Sequence, residues 1–457
     1  MRTSTRDRFF WRLGHCGHGF GYIPGMAITH VTSNPPRLVE PVEHPPGERC
    51  CYGVAFPFQV APKLAAVLCC LRNEGYPAGD FENGSDVFLF DRLDGIDPAG
   101  AVPIVRNDKY VDEKGVRRIV IHYPIVGGFV PLGALRDDDT SHPHAGTGFG
   151  VSESWSFPLL GKGHYSKSHK KTKMIRRTSV YQFTYDTHFF LTEDSDVYEG
   201  DAPLRASEKG SEWALIWQGL KQAVPDGDDL LNPIYTTGGD NPGTWVSDPM
   251  SSGVARWRRE DGKWRPVTYV PVVLGEPDGG NASWMEPSLV RDLDGSLLFS
   301  ARGVYGEVNN LIRVWRSTDN GESWEVQIEK PNARGQGPVT LNQAVDGTPY
   351  LVCNKLGHER DWLVIHPLND ERTDLLPEIL VRNAIEEFGP PPKGPVWFMD
   401  HPNGETLRLG DGEWHHVLSY RNMDRGEHSG SAPTPYTGHY LEEVFSDGPV
   451  RPVWRFD

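Results

Sequence analysis

Short segments of β-branched and aromatic residues, each closed by a turn dipeptide, recur along the whole 457-residue chain. Ser85-Asp-Val-Phe-Leu-Phe, Arg118-Ile-Val-Ile-His-Tyr, Val180-Tyr-Gln-Phe-Thr-Tyr, Val267-Thr-Tyr-Val-Pro-Val-Val, Ser296-Leu-Leu-Phe-Ser and Thr348-Pro-Tyr-Leu-Val all have the composition of strands. Asp-Gly punctuates them at Asp94-Gly95, Asp261-Gly262, Asp294-Gly295, Asp346-Gly347, Asp411-Gly412 and Asp447-Gly448. A two-residue type I′ turn needs φ > 0 at both central positions, which makes Asp-Gly a hairpin signal. The chain also carries 50 Gly and 38 Pro, a load that long helices tolerate poorly. Only 208–223 and 376–387 read as helical. Hairpins repeated over this length must hide their sheet edges. Radial repetition of four-stranded antiparallel blades does so, and predicts an all-β propeller forming a single domain over 1–457.

Ser317-Thr-Asp319-Asn-Gly321-Glu-Ser-Trp324 fits S-x-D-x-G-x-x-W and resembles the Asp-box of blade hairpins in sialidase-like propellers. The Asp carboxylate caps turn amides, Gly takes φ > 0, and Trp packs beneath. Asp261-Gly-Lys-Trp264 and Asp411-Gly-Glu-Trp414 read as worn copies. This motif speaks for fold and not for function.

A net charge of −16 argues against nucleic acid and anionic membranes as partners. The longest apolar run, Leu64-Ala-Ala-Val-Leu-Cys-Cys-Leu71, falls short of the roughly 18 residues of a membrane helix. The N-terminal text is charged, with no apolar stretch of the signal-peptide kind. Cys16, Cys50, Cys51, Cys69, Cys70 and Cys353 contain no CxxC pair, so a zinc ribbon is excluded. A bridge between Cys50/Cys51 and Cys69/Cys70 is an alternative to buried free thiols.

The densest site-like text runs from His122 to Gly150. His122 lies near the end of a strand-like run, and His142 and His144 sit in a Gly-rich His-Pro-His loop, where backbone can approach a ligand. Next comes Lys167 to Arg177, with six Lys/Arg and no acid, including Lys170, Lys171, Arg176 and Arg177. In an acidic chain this local inversion raises the concentration of an anionic ligand, and Tyr165, Tyr181 and Tyr185 interleave with it. Paired histidines followed by Tyr185 and Arg205 suit β-elimination at a uronic acid. That reaction needs a base for the C5 proton, a cation for the adjacent carboxylate and an acid for the departing oxygen. It needs no metal-bound water.

On these residues the chain resembles the propeller polysaccharide lyases, especially ulvan lyases and related enzymes that cut rhamnose–glucuronate bonds. The resemblance implies seven blades, with an Arg, a Tyr and two His on the central face. It implies that His122 and His142 bind the uronate and assist proton transfer, that Tyr185 is the base, or both base and acid, and that Arg205 neutralises the carboxylate. His144, Tyr165, Lys170, Lys171, Arg176, Arg177 and Tyr181 would contact an acidic polysaccharide or oligosaccharide. It further implies a secreted or periplasmic, monomeric protein that needs no cofactor for catalysis and carries at most a structural zinc or calcium with unassigned ligands.

Two other function classes compete. One is a glycoside hydrolase, either a rhamnosidase or a sialidase, the latter needing an arginine triad, a Tyr/Glu pair and an acid Asp; the usual Arg-Ile-Pro text is absent, the nearest being Tyr22-Ile-Pro24. The other is a non-catalytic carbohydrate-binding propeller. Glu286, Arg302, Asn342, Asn354 and His358 read as polar residues facing a central channel, and Asp137–Asp139 as a solvated loop.

Overall fold

The computed structural model describes residues 28–31, 37–39, 48–73, 84–96, 102–106, 108–135, 141–160, 164–165, 175–186, 189–199, 204–205, 212–237, 249–276, 282–332, 337–426, 434–448 and 451. Among them, strands form six antiparallel sheets. The four principal strands of each, inner strand first, are as follows. The first sheet holds Glu48–Ala61, Leu64–Asn73, Gly84–Phe90 and Val102–Arg106. The second holds Arg117–Val130, Thr147–Leu160, Ile175–Tyr185 and Phe189–Glu199. The third holds Glu212–Gln218, Asp229–Thr237, Met250–Glu260 and Lys263–Val273. The fourth holds Ser283–Arg291, Leu297–Val304, Leu311–Ser317 and Glu325–Pro331. The fifth holds Thr340–Gln343, Pro349–Asn354, Trp362–Pro367 and Ile379–Asn383. The sixth joins Trp397–Arg408, Trp414–Asp424 and Gly438–Ser446 to the N-terminal strand Ile28–Val31, so the two chain ends share one sheet.

Alternation along each strand explains how the sheets stack. In Leu64–Asn73, Ala66 and Leu68 join a core with Val126, Phe129 and Phe183 of the second sheet. The intervening Ala65, Val67 and Cys69 join a different core with Leu407, Val417 and Leu441 of the sixth. The apolar run in this segment is thus a strand buried on both faces, not a membrane-length helix. Similar cores fill the second–third, third–fourth, fourth–fifth and fifth–sixth interfaces. Phe149 stacked on Trp257, with ring centroids 4.0 Å apart, anchors the first of these. Six cores therefore close a ring, and the fold is a β-propeller. The resemblance implied seven blades; the described residues form six, each with both faces taken by a neighbour.

The axis of the ring is plugged. Segment 219–223 donates to strands of several blades: Gly219 N–H to Pro233 O (2.9 Å) in the third, Leu220 N–H to Pro287 O (2.8 Å) in the fourth and Ala223 N–H to Gly127 O (2.7 Å) in the second. Gln222 Nε2 reaches Pro57 O at 2.7 Å, and Lys221 Nζ reaches Gly404 O and, at 2.8 Å, Glu405 Oε2. The expected helix over 208–223 is accordingly not formed among its described residues. Strand pairing, Gln218 against Ile234, followed by this axial crossing, overrides local propensity. Of 376–387, only Ala384–Phe388 is helical, capped by Asn383 accepting from Ile385 N–H.

The Asp-box forms as its residues predict. Ser317 Oγ donates to Asp319 Oδ1 (2.7 Å) and accepts from Gly321 N–H (2.8 Å), while Gly321 sits at φ 94. Trp324 packs on Phe299 at 5.7 Å. Of the Asp-Gly turns, Asp261-Gly262 has both residues at positive φ. At Asp294-Gly295, Asp346-Gly347 and Asp411-Gly412 only the glycine does. Those three turns have an inner residue in the right-handed region and Gly as the left-handed exit. Cys69 and Cys353 are buried free thiols, so Cys69 forms no bridge.

Candidate active site

Each inner strand begins at one end of the ring and turns back at the other. The His-Pro-His loop lies at the turn end, between Val130 and Thr147. His142 is buried there, with Nε2 donating to Gly227 O (3.1 Å) and Nδ1 accepting from His144 N–H (3.1 Å). Both ring nitrogens thus hold the loop, and burial pushes the imidazole below its ordinary pKa. His144 is half-buried, edge-on to Trp264 at 5.4 Å. Tyr185 lies beside this loop, its N–H bonded to Gly146 O at 2.8 Å.

His122 is not with them. It sits in the continuous strand Arg117–Val130, paired with Ser154, eight residues before Val130. At about 3.3 Å per residue that is about 26 Å from the loop, beyond the span of one sugar ring. The expected His122/His142 pair is therefore not assembled, because the spacing of 20 spans most of a hairpin. Tyr181 is also displaced from its expected substrate contact. Strand alternation puts it beside Phe183 in the core between the first and second sheets. Arg176, Arg177, Tyr165 and Arg205 lie on strands whose side chains at these positions are outside the described residues, and Lys170, Lys171 and Asp137–Asp139 lie outside them altogether.

At the opposite, open end, charged groups from the fourth, fifth and sixth blades converge. Arg302 Nη1 donates to Glu286 Oε2 at 2.9 Å. Glu286 Oε1 is 3.5 Å from His401 Nε2, whose Nδ1 is 2.8 Å from Asp400 Oδ1. Asp400 also accepts from Arg421 (2.7 Å) and from Arg360 (3.1 Å). Asp400 is fully buried, whereas Glu286, Arg302, His401 and Arg360 keep 14–25% of their side chains exposed, so the cluster is partly open to solvent. Phe398 lies under Arg360 at 4.7 Å.

Local sequence builds this arrangement in the same way twice. Glu286-Pro287 and His401-Pro402 each interrupt an inner strand where its register shifts. Glu286 and His401 both adopt φ 52, a left-handed conformation that ordinary side chains avoid. Such strain persists only where surrounding structure enforces it, and it collects at functional sites. The short inner strand Thr340–Gln343 lies between these two blades.

Three guanidiniums, of Arg302, Arg360 and Arg421, thus meet two carboxylates and one imidazole in this cluster. Burial opposes ionisation of Glu286, but Arg302 and His401 outweigh it and bring the carboxyl down to about 2. Burial likewise opposes ionisation of Asp400, yet Arg421, His401 and Arg360 hold it well below the usual carboxylate range. Burial and the like charges of Arg302 and Arg421 lower the pKa of Arg360. Arg302 Nε is buried without a hydrogen-bond partner, a donor left for another acceptor. Among the described residues no three His, Cys, Asp or Glu side chains group as metal ligands, and no helix is long and apolar enough to cross a membrane.

Sequence reading reached Glu286 and Arg302 only as channel-facing residues and missed Arg360, Asp400, His401 and Arg421. The legible signal was an acid or His directly before Pro within a strand-like segment, present in Met285-Glu-Pro-Ser and Asp400-His-Pro-Asn.

No protein-family model matches the chain, and no curated protein matches it significantly. Solved structures do. The Streptococcus pneumoniae sialidase NanB superposes with a TM-score of 0.50 at 10% identity, over 86% of this chain and 68% of its own, and supports the propeller fold. A Trypanosoma rangeli sialidase matches at a TM-score of 0.46 and 11% identity; 93% of this chain spans 59% of that one. A Dyadobacter fermentans protein of unknown function matches at 0.47 and 12% identity, over 91% and 99%.

Proposed function

We propose that the protein is a glycoside hydrolase acting on a carboxylate-bearing sugar of an acidic glycan, at the open-end cluster. The observation that carries this reading is the convergence of Arg302, Arg360 and Arg421 around Glu286, Asp400 and His401. Guanidinium forks match a sugar carboxylate in shape and charge. The ionised Glu286 beside Arg302 also fits glycoside hydrolysis. A carboxylate with a pKa of about 2 is a poor base for a weakly acidic C5 proton. As a fixed negative charge, however, it stabilises the oxocarbenium-like transition state of glycoside cleavage.

The test is a product assay on a panel of sialylated, glucuronate-containing and rhamnose–glucuronate glycans. Reducing ends released without new ultraviolet absorbance support hydrolysis. Absorbance from a C4–C5 double bond would instead establish elimination of the ulvan-lyase kind. Turnover of no acidic glycan would sink the enzyme reading and leave a binding propeller.

A further inference from the structure

We infer that Asp400 and His401 form a catalytic dyad, in which His401 Nε2 is the proton donor to the departing sugar oxygen and Asp400 is its positioning residue. This deepens the hydrolase reading above and rests on it.

The geometry is directional. Asp400 is clamped from two blades, by Arg421 Nε (2.9 Å) and Nη2 (2.7 Å) and by Arg360 Nη1 (3.1 Å). It therefore presents Oδ1 to His401 Nδ1 at 2.8 Å, fixing Nδ1 as the protonated nitrogen and turning Nε2 outward. Nε2 faces Glu286 at 3.5 Å, longer than a good hydrogen bond, and the His401 side chain is 15% exposed. The charged groups around the imidazole are Asp400 on its own strand, Glu286 and its partner Arg302 in the fourth blade, and Arg360 and Arg421 bound to Asp400. A base oriented by a buried carboxylate is the same division of labour as in hydrolase triads. His401 takes its positive φ within the register shift between Asp400 and Asn403, where its strand departs from regular pairing.

The step balances. The Nε2 proton of the imidazolium passes to the glycosidic oxygen as the bond to the anomeric carbon breaks, and the electron pair stays on that oxygen. A water oxygen then bonds to the anomeric carbon, and the proton it releases restores the imidazolium.

A general acid matters most when the leaving group is poor. His401→Ala is expected to lower kcat/KM by about 10²–10⁴-fold on an acidic glycan with a sugar leaving group, but less than about tenfold on its 4-nitrophenyl glycoside. Added imidazole should restore part of the loss on the glycan. In the ¹⁵N spectrum of selectively labelled protein, neutral His401 should be the Nδ1–H tautomer. An equal loss on both substrates, or an Nε2–H tautomer, would overturn the dyad while leaving the hydrolase reading intact. A wild-type protein that cleaves neither substrate would overturn both.

Discussion

The two ends of the inner strands use the same charged residues for opposite purposes. At the turn end, Arg291 bonds Asp226 across the third–fourth interface (3.0 Å), Arg372 grips Asp292 across the fourth–fifth (2.6 Å), and Arg408 reaches Leu135 O. These bonds run from one blade to another, and the product is a tied ring. At the open end, three guanidiniums, two carboxylates and an imidazole instead meet in one cluster, in which Glu286 and His401 both take positive φ. The contrast teaches how one residue class serves two arrangements: ion pairs at the turn end tie single blades together, whereas those at the open end gather three blades on one cluster.

The largest expected effect falls at the open end. Glu286→Gln should lower kcat/KM on an acidic glycan by about 10³-fold, because the fixed charge under the transition state is lost. A loss under tenfold would remove the distinction between the ends. Next is the axial plug, where Lys221 and Glu405 pair with side chains only 5% exposed. Lys221→Met strands a buried carboxylate and should cost about 3–5 kcal/mol in urea unfolding, most of it recovered by adding Glu405→Leu.

The two ends should also respond to pH in opposite directions. Glu286 has a folded pKa of about 2 against an ordinary 4.5. Its contribution is present above about 4.5 and is lost as pH falls through about 2, on the order of 3 kcal/mol in all. Urea midpoints of wild type should fall over that window more steeply than those of Glu286→Gln. At the turn end, Trp324→Ala should cost about 2 kcal/mol and leave kcat/KM unchanged. The smallest effect belongs to His415, whose pKa is raised by its bond to Glu443 and, despite burial, by Asp411. That contribution is complete below the ordinary 6.5 and is lost as pH rises through the raised value. Wild type should therefore lose a few tenths of a kcal/mol more than His415→Gln between pH 6 and pH 9.

Strand character, the Asp-box and the turn positions were legible because they are local. Period-two burial and positive-φ glycine are written within a few residues of one another, as in Ser317–Trp324 and Leu64–Leu71. The elimination set was read from local text in the same way. It failed to bring His122 to His142 because hairpin register, and not spacing, decides which end of a strand a side chain occupies.

The sequence by itself determined that this chain is an antiparallel β-protein of repeated hairpins with too many turns for long helices. Only the tertiary structure decided that Glu286, Arg302, Arg360, Asp400, His401 and Arg421 share one cluster. They lie on three blades and up to 135 positions apart, from Glu286 to Arg421. Closure of the ring, which no short stretch of residues encodes, is what brings their charges within hydrogen-bonding distance.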